Sequence, residues 1–385
     1  MRKTKEQLNK IKEKYGVNEL WSWSKYNSYK TDPYGWYLKY LKHEKETKQS
    51  IYGVEGGACH DIIEQFYLGK IKYEQMIEEY ENKLFEINLS GLKYNRKDEK
   101  ANEKIANKYE ECVRLFYQEH TPIKQKAITE QFILIKVGEH IFQGYIDFIH
   151  KDEDNNYIIT DWKTSTIYQG KRIDKEKGQL VLYAEGLIQK GVPIDKIKIR
   201  WDFLKYSKLT YTLAGIDKKT KQHKISTKNV LRNEWVKSIE NNLKMWLKKS
   251  KQYDELEIED MVATAIENNN LDDIPEDIQQ KYKREDCYVY IPLTKDSIDK
   301  LKEDIIDTID EIQLNKKAYE ATQDNRIWWT TIDKSNEFYF ANLCGYGAKQ
   351  HKPYKEYLDD LNLFIKNNKD NEDNEIDDSW LNDLD

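Results

Sequence analysis

The stretch GYIDFIHKDEDNNYIITDWKTS, residues 144–165, decides how the chain is read. Short runs rich in β-branched and aromatic residues lie on both sides of a polar break at Asp152 to Asn155. That composition, bounded by turn residues, marks two strands. Just upstream, ITEQFILIKV (128–137) has the same character and is joined to HIFQGYIDFIH (140–150) by a turn at Gly138-Glu139. With NYIITDWKT (156–164), these segments predict a three-strand meander.

The meander carries charge where a strand need not. Asp147 falls in its second strand; Asp161 and Lys163 fall in the third, two apart and therefore on one face. Strand pairing can bring Asp147 and Asp161 side by side. Two adjacent carboxylates repel strongly unless a cation lies between them, and a hard divalent ion with oxygen ligands meets that need. The backbone carbonyl of Trp162 can add a ligand. This assembly suits phosphodiester hydrolysis: the ion acidifies a water and holds a phosphate oxygen, and Lys163 adds positive charge at the attacking water or scissile phosphate. A lone D-x-K at a strand end is common and usually structural. Three further features separate this one from that background. His60 and Glu64, four apart in GGACHDIIEQFYLGK (56–70), share a helix face, as do Gln179 and Tyr183 in GQLVLYAEGL (178–187), and Glu130 opens the first strand of the meander. The plain alternatives are a core or capping histidine, an ordinary amphipathic helix and a surface glutamate.

Outward from the meander, residues 5–15, 50–87 and 97–120 read as helices before it. After it, 178–191 reads as a helix, 197–207 as a strand continuing into a hairpin to about residue 226, and 228–252 and 295–322 as long charged helices. Residues 267–286 look like loop. The order predicts an α/β fold with a mixed central sheet flanked by helices. The expected organisation is an aromatic-rich segment at 1–50, a core at 51–227, a helical region at 228–365 that returns to the core, and a disordered acidic tail at 366–385.

Bulk properties constrain the partners. The net charge of −6 lies entirely in the last twenty residues, which hold two lysines and eight acids, so the rest of the chain is neutral and can still present a basic groove to phosphates. The tail at 370–385, with Trp380, Leu381 and Leu384 among acids, suits a docking peptide for a protein partner, a charge-mimic cover for the groove, or a merely solubilising extension. No run of about 18 apolar residues predicts a membrane span, and the charged start MRKTKEQLNKIKEKYG lacks a signal-peptide core. With four dispersed cysteines and no CxxC pair, a cytoplasmic protein without disulfides is expected. No P-loop and no zinc-type spacing occurs, so no use of ATP is expected. Trp21, Trp23, Tyr26 and Trp36 are candidates for stacking on unpaired bases, with core packing the commoner fate of such residues.

Taken together, SKYNSYKTDPYGW, GACHDIIE, GYID, DWKT and QLVLYAEG occur in an order that resembles the RecB-like branch of the PD-(D/E)XK nucleases, over roughly residues 20–207. That branch includes the nuclease domains of RecB and AddB, the CRISPR-adaptation exonucleases and many phage exonucleases. The resemblance implies the restriction-endonuclease-like core, with His60, Asp147 and Asp161 holding Mg²⁺ or Mn²⁺, Lys163 catalytic, and Gln179 and Tyr183 positioning the substrate strand. It implies a deoxyribonuclease acting on linear ends or single strands in DNA replication, recombination or repair, of phage or bacterial type, with exonuclease action favoured. A structure-specific or restriction-type endonuclease and a catalytically silent nucleic-acid-binding scaffold stand as alternatives. EFYFANLCGYGAKQHKPYKEYL (337–358) resembles the segment where some members place the last three cysteines of an iron–sulfur cluster. Here Asp32 stands at the first cysteine position and Ala341 at another, leaving Cys344 alone, so no iron–sulfur cluster is expected. The segment is expected to pack by its aromatics, with Cys344 as a small buried apolar residue.

Overall fold

The computed structural model describes residues 2–95, 98–217 and 219–372. Before the sheet come α1 (Lys5–Tyr15), α2 (Trp23–Thr31), α3 (Pro33–Tyr40), α4 (Ile51–Tyr67), α5 (Gln75–Leu89) and α6 (Glu99–Glu119). Then follow β1 (Ala127–Val137), β2 (His140–Lys151), β3 (Tyr157–Lys163), α7 (Lys171–Glu176), α8 (Gly178–Ile188), β4 (Ile197–Ile216) and β5 (His223–Leu231). The chain continues with α9 (Glu240–Ser250), α10 (Glu255–Asn268), α11 (Glu276–Gln279), β6 (Tyr282–Ile291), α12 (Lys295–Thr322) and α13 (Lys352–Glu372). It divides into two compact units, residues 1–23 with 51–306 and residues 24–50 with 307–385.

The larger unit is built on a six-stranded mixed sheet, the expected α/β class. β1, β2 and β3 form the antiparallel meander. β3 then pairs parallel to β4, a connection that requires a crossover, and α7 and α8 supply it. The twenty-residue β4 also pairs antiparallel with β5 and with β6. The β2–β3 ladder runs from Lys151↔Tyr157 to Phe148↔Thr160 and stops there, so the next residue on each strand, Asp147 and Asp161, stands at a fork.

Helices α4, α5 and α6 bury their apolar stripes together with Phe148, Trp162 and Leu204 of the sheet. Ile62, Ile63, Val113 and Phe116 are completely or almost completely buried in this cluster. A second cluster gathers α9, α10 and α11 around Leu209 and Val230.

β6 lies inside the region read as helical, and its first half, in the segment read as loop, is charged. That charge is neutralised internally. Asp286 accepts from buried Arg232 at 2.6 Å and lies 2.9 Å from His120 Nδ1, and Arg284 pairs with Glu119 at 2.6 Å. Buried charges satisfied in this way hide the alternation that would otherwise announce a strand.

The smaller unit owes its core to the aromatic run near residue 30. Trp328 stacks on Trp36 and Tyr37 at centroid distances of 5.6 and 5.9 Å, and the hydroxyls of Tyr37 and Tyr319 meet at 3.0 Å. Phe340 packs on Tyr354 and His351. Tyr26 and Trp36, two of the candidate base-stacking residues, are therefore core residues, as is Trp21 of the larger unit. Trp23 is half-buried. All four cysteines are free and buried. α13 runs on to Glu372, so residues 366–372 are helical where disorder was expected, and the rest of the acidic tail, from residue 373, lies outside the described residues. Among the described residues no helix is long and apolar enough to cross a membrane.

Candidate active site

The β2–β3 fork places the two acids on adjacent strands, and α4 crosses it. His60 Nδ1 lies 3.4 Å from Asp147 Oδ2, and His60 Nε2 lies 2.9 Å from the Trp162 carbonyl oxygen. The Trp162 ring is buried among the α4–α6 helices, and β alternation turns its neighbours Asp161 and Lys163 to the opposite face. There Lys163 Nζ lies 2.6 Å from Asp161 Oδ2. This buried oxygen has no aligned hydrogen-bond donor, so the pair is held by charge rather than by hydrogen-bond geometry.

The electrostatics follow from crowding. Burial, then the neighbouring Asp161, pushes the Asp147 carboxyl well above the usual carboxylate range. Burial lowers the His60 pKa, against the pull of Asp161. For Lys163, burial favours the neutral amine, but the interactions with Asp161, Tyr168 and Asp147 together outweigh it and the net shift is upward. A neutral imidazole donates from Nε2 to the Trp162 carbonyl, leaving Nδ1 as an acceptor facing an Asp147 carboxyl that favours its proton.

The site has the donor set that a hard divalent cation takes: two carboxylates, a backbone carbonyl and an imidazole. Asp147, buried and crowded by Asp161, favours its proton, and a cation shared by the two acids would relieve that crowding. The fit is incomplete. His60, Asp147 and Asp161 do not form a group in which every donor atom lies within 4.8 Å of the others. Asp161 is engaged by Lys163.

The remaining sequence candidates fall at different distances from this centre. Gln179 Nε2 donates to Tyr183 Oη at 3.2 Å on α8, and burial, followed by the charges of Asp147 and Asp161, helps raise the Tyr183 pKa to about 12. Tyr183 needs Gly144 beneath it: a Cβ at residue 144 would lie 2.5 Å from its ring. Glu130 lies in the interior of β1 rather than at its start, between the pairs Thr129↔Phe148 and Gln131↔Ile146, which places it level with Asp147. Its φ of +48° is left-handed, rare for a non-glycine residue and indicative of a local constraint. Its charge acts on both His60 and Asp147. Glu64 is half-buried one turn beyond His60 and makes no described ion pair or hydrogen bond with the other candidates.

Sequence reasoning missed the N-terminal segment. Arg2 Nε lies 3.3 Å from Glu130 Oε2, and the Lys3 amide donates to Tyr145 Oη at 2.6 Å, two residues before Asp147. Only the basic composition of that segment hinted at an acidic neighbour.

The sequence model of the PD-(D/E)XK nuclease superfamily matches residues 20–326. No curated protein matches the chain. The match spans most of the chain, includes the D-x-K strand, and is consistent with a mixed sheet whose carboxylates meet where two strands part. This chain belongs to the PD-(D/E)XK nuclease superfamily.

Proposed function

We propose that the protein is a Mg²⁺- or Mn²⁺-dependent deoxyribonuclease, and that it degrades DNA from ends. The observation that carries the reading is the β2–β3 fork, where Asp147 and Asp161 are crowded beside Lys163 and faced by His60. A divalent cation held by His60, Asp147, Asp161 and the Trp162 carbonyl would supply Lewis acidity at the phosphate and acidify water there.

The chain's own groups do the rest. Asp147 and Asp161 set the negative potential that draws the cation in. Lys163, kept protonated by Asp161, places positive charge where the phosphate gains negative charge in the transition state. His60, held on the Trp162 carbonyl, fixes the third side of the site. Gln179 and Tyr183 line the α8 face and orient the substrate strand; Glu130 tunes the charge of Asp147. The RecB-like resemblance favours exonuclease action and a role in recombination or repair. The acidic tail at 370–385 suits a protein partner of that machinery.

The test is cleavage of end-labelled linear and covalently closed circular DNA across a Mg²⁺ and Mn²⁺ titration. The reading expects degradation of linear DNA alone, dependent on the cation and lost in Asp161→Ala. Cleavage of circles would replace it with an endonuclease, and binding without cleavage with a silent scaffold.

A further inference from the structure

A second constellation lies in the smaller unit, and phosphodiester chemistry does not use it. Asp32, Cys344 and His351 converge from distant parts of the chain, and one ligand atom from each lies within 4.8 Å of the other two. They are buried, at 2 %, 5 % and 0 % exposure. His351 Nε2 is 3.0 Å from both carboxylate oxygens of Asp32, and Cys344 Sγ is 3.9 Å from Oδ2.

The surroundings are built for the Asp32 carboxylate. Thr330 Oγ1 donates to Oδ1 at 2.7 Å, and Gly35 leaves room that any other residue would fill, since a Cβ there would lie 2.3 Å from Oδ2. The Tyr346 amide points at Cys344 Sγ at 3.5 Å. A cavity of about 150 Å³ opens onto Asp32 and Cys344, with Glu46 and Tyr339 also in its wall.

We propose that Asp32, Cys344 and His351 bind one zinc-type divalent cation, with the cavity supplying space for a fourth ligand. Charge is the first argument. A buried carboxylate needs compensation, and its hydrogen-bonding partners here are a hydroxyl, an imidazole and a thiol, none with a fixed positive charge. One dication with one carboxylate and one thiolate sums to zero. Donor chemistry is the second argument. A thiolate, an imidazole and a carboxylate together suit a borderline-soft tetrahedral ion, whereas Mg²⁺ takes oxygen ligands.

Binding has a defined proton balance. His351 Nδ1 accepts from the Tyr354 amide at 3.1 Å, so in the metal-free state the ring is neutral with its proton on Nε2. Coordination through Nε2 moves that proton to Nδ1 and frees the Tyr354 amide at the start of α13, while the Cys344 thiol gives its proton to solvent. The site therefore takes up one cation, releases one proton and loosens the first turn of α13.

The test uses the full chain, stripped with chelator and titrated with Co²⁺. One equivalent should produce the near-ultraviolet thiolate-to-cobalt charge-transfer band, and one equivalent of Zn²⁺ should erase it. Zn²⁺ should also raise the melting temperature. Cys344→Ser should abolish the band and weaken zinc binding by more than the roughly 10–100-fold that loss of an outer-shell partner costs. If that variant does not fold, Asp32→Asn keeps the thiol, and its cobalt band should appear only at a correspondingly higher Co²⁺ concentration. The candidate active site contains no cysteine among its proposed ligands, and loss of the band in Cys344→Ser assigns it to this site independently of cleavage. The proposal is overturned if no band forms, if it persists in folded Cys344→Ser, or if Asp32→Asn titrates like the wild type.

Discussion

Replacing Asp147 with asparagine should stabilise the metal-free protein while destroying its chemistry. The change keeps the side-chain volume and removes one of two crowded charges. Two carboxylates about 4 Å apart at an effective dielectric of about 20 repel by roughly 4 kcal/mol. Lys163, 2.6 Å from Asp161, offsets much of this, which leaves on the order of 1–2 kcal/mol to be recovered. The pH dependence has a fixed sign. Burial and Asp161 raise the Asp147 pKa, so the folded state holds this proton more tightly than the unfolded chain does. The Asp147 contribution to stability is therefore greatest in acid and declines as pH rises above the ordinary Asp value of about 4. In EDTA at about pH 8, Asp147→Asn should melt on the order of 2–3 °C above wild type, with the difference shrinking in acid. Mg²⁺ should raise the wild-type melting temperature and leave the variant unmoved, and cleavage should fall by roughly 10³-fold or more. Differential scanning fluorimetry across pH, with and without Mg²⁺, reads all but the last. A variant that melts below wild type in EDTA at that pH and still responds to Mg²⁺ would refute the reasoning.

Lys163→Met keeps the apolar stem and removes the charge; cleavage should drop by roughly 10²–10³-fold in single-turnover assays while Mn²⁺ binding persists. Gly144→Ala pushes a methyl into the Tyr183 ring, so unfolding in urea should show a loss of about 1–3 kcal/mol, largely restored by Tyr183→Leu on the same background. Glu55 is fully buried beneath the hydroxyls of Tyr80 and Tyr94, and burial raises its pKa to about 7. Its contribution to stability therefore declines as pH rises through the interval between the ordinary glutamate value and about 7, and Glu55→Gln in an Asp147→Asn background should flatten the melting-temperature profile there. Arg232→Ala strands buried Asp286 and should cost about 3–5 kcal/mol in chemical denaturation.

The meander was legible because its strands are rich in β-branched and aromatic residues and its turns carry Gly138 and the Asp152–Asn155 run; the register that sets Asp147 and Asp161 at the point of parting came only with the fold. β6 was not legible. Its charged half is balanced by residues more than 50 positions away, such as Arg232 and His120, and single-sequence periodicity carries no trace of them. The pairs of His60 and Gln179 with residues four along do lie on helices, as read, yet only the fold reveals that His60 leans on the Trp162 carbonyl and that Glu130 adopts a left-handed backbone. Asp32, Cys344 and His351 have no spacing signature, because more than 300 residues separate the first from the other two.

The central claim is that one hard cation is shared at the β2–β3 fork, and anomalous diffraction from crystals grown with Mn²⁺ tests it most directly. The account predicts an anomalous peak about 2.0–2.3 Å from carboxylate oxygens of both Asp147 and Asp161, with His60 and the Trp162 carbonyl completing one side. Manganese bound elsewhere with that fork empty, in crystals of a protein that cleaves DNA with Mn²⁺, would contradict it.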